Sequence, residues 1–229
     1  MKLTLLPLLF SALAIVPMAA KDNLPTTAEE QKGFTPAAVL QDLMDGNKRF
    51  IDGKLTAPNV KDRVAASAEG QFPKAVILSC LDSRVPVEQI FDQGIGDVFV
   101  GRVAGNVENV DQLGSMEFAT AAAGVKLVMV LGHEACGAVK GACDHVELGN
   151  LTDLLAKIKP AVDAVEGFEG ERTSKNSEFV AAVVKKNVEM TVADVRERSK
   201  VLADLEKEGK IKIVGALYSL HTGEVTLLN

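Results

Sequence analysis

Two cysteines and one histidine in this chain have the types and spacing of a metal centre. His133 and Cys136 stand three apart in Gly132-His133-Glu134-Ala135-Cys136, and Cys80 lies upstream in Ser79-Cys80-Leu81-Asp82-Ser83-Arg84. Two thiolates and one imidazole form a soft-to-borderline donor set that suits Zn²⁺. A catalytic zinc keeps three protein ligands and leaves a fourth position for water, whereas a structural zinc is closed by four. Asp82 and Arg84, two and four residues beyond Cys80, set an anion and a cation beside that fourth position. The pattern reads as a zinc hydro-lyase site rather than a zinc staple.

These residues need elements to position them. Ala75–Leu78, Val98–Val100, Leu127–Leu131 and Ile211–Leu217 are short continuous apolar runs, and Val225–Leu228 is a shorter last one. Continuous rather than alternating runs imply strands buried on both faces, as in a parallel sheet. Helical patterns fall between them, over 86–92, 111–123, 136–147, 151–165 and 176–207. Strand–helix alternation points to an α/β domain with right-handed crossovers: about four parallel strands and a short edge strand, flanked by helices. Cys80 follows the first strand, His133 follows the third, and Cys136 opens the next helix. In such sheets the site forms at the carboxyl ends of strands.

Thr35-Pro36 marks the start of a further helix, with Thr35 as N-cap. Its apolar face (Leu40, Leu43, Met44, Phe50) needs a cover, on this domain or on a partner subunit. Residues 21–35 are polar, with Pro and Gly, and read as a linker; 36–229 read as one domain. Residues 1–20 run from a basic start through an apolar stretch to Met18-Ala19-Ala20, the order of a secretory signal peptide. The apolar run is shorter than the roughly 20 residues that span a bilayer, so cleavage is expected rather than anchoring. Export, to the periplasm of a bacterial cell, follows, with no membrane attachment after cleavage.

An apolar fraction of 47% and a charged fraction of 24% suit a globular domain. A net charge of −6, no Trp and one Tyr argue against a nucleic-acid partner. Three cysteines are an odd number for an oxidising compartment. Metal ligation accounts for Cys80 and Cys136, and Cys143 reads as a small buried apolar residue. His145 and His221 read as surface residues.

Cys80-x-Asp82-x-Arg84 followed by Gly132-His133-x-x-Cys136-Gly137 resembles the β-class carbonic anhydrases. The segments 42–50 (DLMDGNKRF), 82–88 (DSRVPVE), 96–106 (GDVFVGRVAGN), 114–119 (GSMEFA) and 213–225 (IVGALYSLHTGEV) are similar to the corresponding family segments. The resemblance runs from about residue 36 to the C-terminus. It implies zinc on Cys80, His133 and Cys136, and reversible hydration of CO₂ to bicarbonate and a proton by a zinc-bound hydroxide. Asp82 would orient that hydroxide, and Arg84 would hold Asp82 off the metal. If the pair broke, Asp82 could itself ligate zinc and close the site. The resemblance further implies a homodimer or a dimer of dimers, with the 36–50 helix packed on the partner. Gly105, Asn106 and Gly137 would shape the substrate pocket. Arg102 and Tyr218 match two positions of a non-catalytic bicarbonate site found in some members, but the third position, a Trp there, is Ile77 here. The Gln that plant-like members carry after the first helix of the fold falls at Gly94, beside Gln93. Two rival readings use the same residues: hydrolysis of a CO₂-like molecule such as CS₂, and a closed structural zinc with Asp82 or Cys143 as fourth ligand.

Overall fold

A computed structural model describes residues 23–228. The signal-peptide reading of residues 1–20 lies outside them. Five strands form one sheet in the order β2-β1-β3-β4-β5. They are β1 (Ala75–Ser79), β2 (Val98–Arg102), β3 (Leu127–His133), β4 (Lys212–Tyr218) and β5 (Val225–Leu227). The first four pair in parallel, and β5 runs antiparallel to β4. This is the expected α/β arrangement with its short edge strand.

The apolar runs are continuous because helices cover both faces. Alternate residues of β1 point to opposite sides. Ala75 and Ile77 join Leu127, Met129 and Leu131 beneath α2 (Pro36–Ile51) and α4 (Val87–Ile90), which contribute Val39, Leu43, Val87 and Ile90. Val76 and Leu78 join Val128 and Val130 on the other face. There they meet α5 (Val110–Glu117), α8 (Ser177–Arg198) and α9 (Lys200–Lys207) through Leu113, Met116, Val188, Val192 and Leu202. A third cluster gathers at the carboxyl end of the sheet. Cys80, Cys136 and Cys143 pack there with α6 (Gly137–Cys143), α7 (Gly149–Asp163) and the first half of α8.

Helix α2 has the expected Thr35 cap, whose side chain accepts from the Ala38 N–H. Its buried face lies on its own sheet. Gly46 permits this approach, because a Cβ there would sit 1.9 Å from the Phe91 carbonyl oxygen. Buried Asn47 then donates to the Ile90 and Gly223 carbonyls and accepts from the Val225 N–H.

Three elements depart from the sequence reading. Residues 28–33, inside the stretch read as a linker, form helix α1 (Ala28–Gly33) with a Thr27–Glu30 capping box. Its Gln31 is buried and donates to the Pro73 and Ala123 carbonyls, tying the segment to the domain. A short helix, α3 (Val60–Ser67), was not signalled by apolar periodicity. The 176–207 pattern is two helices: Ser199 ends α8 and caps α9, its Oγ accepting from the Leu202 N–H and donating to Glu117.

Candidate metal centre

Strand order explains why residues far apart in sequence meet. The chain leaves β1 toward β2 on one side, and β3 lies on the other, so β1 and β3 flank the topological switch point. Ser79 is in register with Leu131, which puts Cys80, one residue past β1, beside the end of β3, where His133 stands.

Each side chain is fixed locally. His133 is fully buried. Its Nδ1 lies 2.8 Å from the Glu134 carbonyl, so the ring N–H belongs there. Nε2 is then a lone pair with no hydrogen-bond partner among the described residues. A ligand histidine is held in this way by its other nitrogen. The turn to Cys136 passes through Ala135 at φ 51°, a left-handed conformation that non-glycine residues seldom adopt. That turn is anchored by the Glu134 carboxylate, which accepts from Ser219 Oγ and the Leu220 N–H, both at 3.0 Å. Cys136 is the N-cap residue of α6 and is buried.

The donor atoms of Cys80, His133 and Cys136 all lie within 4.8 Å of one another. The two sulfurs are 3.8 Å apart. Hydrogen bonding from Cys136 pulls the Cys80 thiol down, against the opposing effect of burial. Cys136, the donor of that bond and buried, is pushed up. Two sulfurs and an imidazole nitrogen fit a borderline-soft divalent metal. Cys143 is outside the group, and burial pushes its thiol up to about 11.

Asp82 lies beside the group, its Oδ2 3.8 Å from His133 Nε2. Arg84 grips it as a fork, Nε to Oδ1 at 2.9 Å and Nη2 to Oδ2 at 2.7 Å, and the Arg84 backbone N–H adds a third bond at 2.9 Å. The Arg84 guanidinium holds the Asp82 carboxyl well below the usual carboxylate range. Asp82 is therefore an ionised, acceptor-only group at neutral pH.

The remaining expected residues fall as follows. Gly105 sits at φ 75° in a short turn (104–106), where a Cβ would approach Ile158 Cδ1 to 2.5 Å; its N–H points at Cys80 Sγ, 3.4 Å away. Asn106 is buried, and its Nδ2 has no hydrogen-bond partner among the described residues. Gly137 opens α6 with nothing beyond its own helix within 4 Å of a Cβ position, so no close contact demands glycine there. Arg102 donates Nε to the Cys80 carbonyl at 2.9 Å and Nη2 to the Asp82 carbonyl at 2.6 Å. Its guanidinium is committed to backbone, and no hydrogen bond joins it to Tyr218, which is buried opposite His133 on β4. Ile77 is buried in the sheet. His145 and His221 are exposed and outside the ligand group. Sequence reasoning missed Asn187, buried on α8, which donates to the Gly105 carbonyl at 2.8 Å. Its signal was a lone amide among Val183, Val184, Val188 and Thr191.

Fold and site together define an α/β protein with a two-cysteine, one-histidine metal centre at a sheet's switch point. Residues 75–225 match the carbonic anhydrase family model. Carbonic anhydrase 2 of Mycobacterium tuberculosis (strain ATCC 25618 / H37Rv) is 38% identical over 200 residues, covering 84% of this chain and 92% of the relative. The carbonic anhydrase of Mycolicibacterium smegmatis is also 38% identical, covering 84% of this chain and 93% of its own. A tetrameric β-carbonic anhydrase of Sordaria macrospora superposes with a TM-score of 0.62 at 26% identity, over 71% of this chain and 83% of that one. The fold also matches a Coccomyxa β-carbonic anhydrase, with a TM-score of 0.64 at 24% identity, over 82% of this chain and 86% of that one. This chain belongs to the carbonic anhydrase family, in its β class.

Proposed function

We propose that the chain catalyses the reversible hydration of CO₂ to bicarbonate and a proton, with zinc held by Cys80, His133 and Cys136. The observation that carries this is the bare His133 Nε2 facing two sulfurs, with an ion-paired Asp82 beside it. When bound, zinc supplies Lewis acidity that brings the deprotonation of water toward neutral pH. Asp82 is the orienting group. Kept ionised by Arg84, it would accept a hydrogen bond from the attacking water species and so leave an oxygen lone pair directed at the carbon of CO₂. The proton released goes to solvent. Arg84 donates to both Asp82 oxygens and restrains the carboxylate from the metal.

Two thiolates donate more charge to the metal than imidazoles do, so activity should rise into mildly alkaline pH. Assembly into a homodimer or a dimer of dimers is supported by the open edge of β2 and by exposed Leu81, Val110 and Phe118. The apolar face of the 36–50 helix is covered by its own sheet, so its packing on a partner, also part of this proposal, would use the opposite face. Export to a periplasm is supported by the order of residues 1–20. No helix among the described residues is long and apolar enough to cross a membrane.

The test is metal analysis with stopped-flow CO₂ hydration on the purified, chelator-stripped and zinc-reloaded protein. One zinc per chain, with hydration lost on stripping and restored on reloading, is the expected result. Hydration that survives complete stripping would refute the reading.

A further inference from the structure

Residues 80–82, which carry one proposed ligand and the orienting carboxylate, belong to no helix or strand: β1 ends at Ser79 and α4 begins at Val87. The turn is held from outside by groups on two other elements. From the end of β2, Arg102 spans the turn, with Nε on the Cys80 carbonyl at 2.9 Å and Nη2 on the Asp82 carbonyl at 2.6 Å. A planar fork can bridge two carbonyls at once; a lysine ammonium in its place would reach one. From α8, Asn187 donates Nδ2 to the Gly105 carbonyl at 2.8 Å, and the N–H of the same glycine points at Cys80 Sγ. Asn187 is 3% exposed, so this bond is dry and its loss leaves a buried carbonyl unpaired.

We propose that Arg102 and Asn187 are positioning residues for the metal centre. Arg102 fixes the backbone that aims Cys80 and Asp82, and Asn187 fixes the Gly105 N–H against the Cys80 sulfur. Both act through backbone carbonyls of the residues that carry the site. This gives Arg102 a role other than bicarbonate capture, and it rests on the metal-site reading above. Outer partners of metal ligands typically change affinity by about 10–100-fold when removed.

The experiment measures Zn²⁺ affinity by competition with a chromophoric chelator, and the thiolate-to-metal absorption of the Co²⁺-loaded protein. Thermal unfolding of the metal-free form serves as the control for folding. The variants are Arg102→Met, Arg102→Lys and Asn187→Leu. Arg102→Met is expected to bind zinc about 10–100-fold more weakly, with a near-native metal-free melting temperature and altered Co²⁺ bands. Arg102→Lys should recover part of the affinity. Asn187→Leu should weaken zinc and shift the Co²⁺ bands; if it does not fold, the two Arg102 variants decide. Native zinc affinity and native Co²⁺ bands in Arg102→Met would overturn the inference while leaving the metal site intact. Absence of zinc binding by the unaltered protein would instead remove the metal-site reading, and this inference with it.

Discussion

Asp82 binds Arg84 through both carboxylate oxygens, and the same carboxylate lies 3.8 Å from His133 Nε2. It lies beside the metal group, and in the proposed mechanism Arg84 holds it off the metal. Arg84→Ala should therefore let Asp82 turn toward the metal and close the fourth position. A structure of the zinc-loaded variant would show this as a carboxylate oxygen on the metal, and water still bound there would count against it. The ligand trio was legible in sequence because Cys and His are rare types here, each placed just past an apolar run. The backbone partners of Arg102 were not legible, because hydrogen bonds to backbone carbonyls leave no residue-type signature. Asn187 was hidden because one amide on an apolar helix face does not name its partner.

Between elements, two polar clamps are as informative as the apolar clusters. Asn47 satisfies three backbone groups from α2, a position sequence alone showed only as a polar residue on a helix. Asn47→Ala should cost about 2–4 kcal/mol, from buried groups left unpaired, seen as a lower urea midpoint. Arg196 and Glu206 join α8 and α9 to β4: Glu206 accepts from Arg196 and from the Ile213 N–H, and Arg196 also donates to the Ile213 carbonyl. Burial pushes the Glu206 carboxyl up, but these bonds outweigh it and hold the group below its ordinary value of 4.5. A carboxyl depressed in the folded state adds stability that is complete above its ordinary value and is lost as pH falls through the folded value. Glu206→Gln should thus be less stable than the native chain at neutral pH, and the difference should shrink below pH 4.5. Urea midpoints at several pH values check this. Five strands and both helical layers were readable from continuous apolar runs. The adjacency of β1 and β3 was not, because strand order depends on crossovers rather than on any one segment. The break at Ser199 was invisible for a similar reason, since the apolar period continues across it.

At the scale of the whole molecule, the apolar clusters on both sheet faces involve no metal ligand. Only the third cluster contains the two ligand cysteines. The fold should therefore survive metal removal with reduced stability. Free zinc at 100 times its dissociation constant adds about 2.7 kcal/mol, a melting-temperature rise of roughly 5–10 °C for a chain of this size. Differential scanning calorimetry with and without chelator measures it, and a metal-free chain without a cooperative transition would contradict the placement of the core. The open β2 edge predicts that the protein sediments as a dimer or larger. A strictly monomeric species at micromolar concentration would contradict the proposed assembly.

The most direct test of the account is stopped-flow CO₂ hydration from about pH 6.5 to 9 on the zinc-loaded native chain and on Asp82→Asn, with zinc content measured for both. Turnover should rise with pH in the native chain and fall on the order of 100-fold in Asp82→Asn at equal zinc. One zinc per chain with no hydration at any pH, or an Asp82→Asn variant as fast as the native chain, would contradict it.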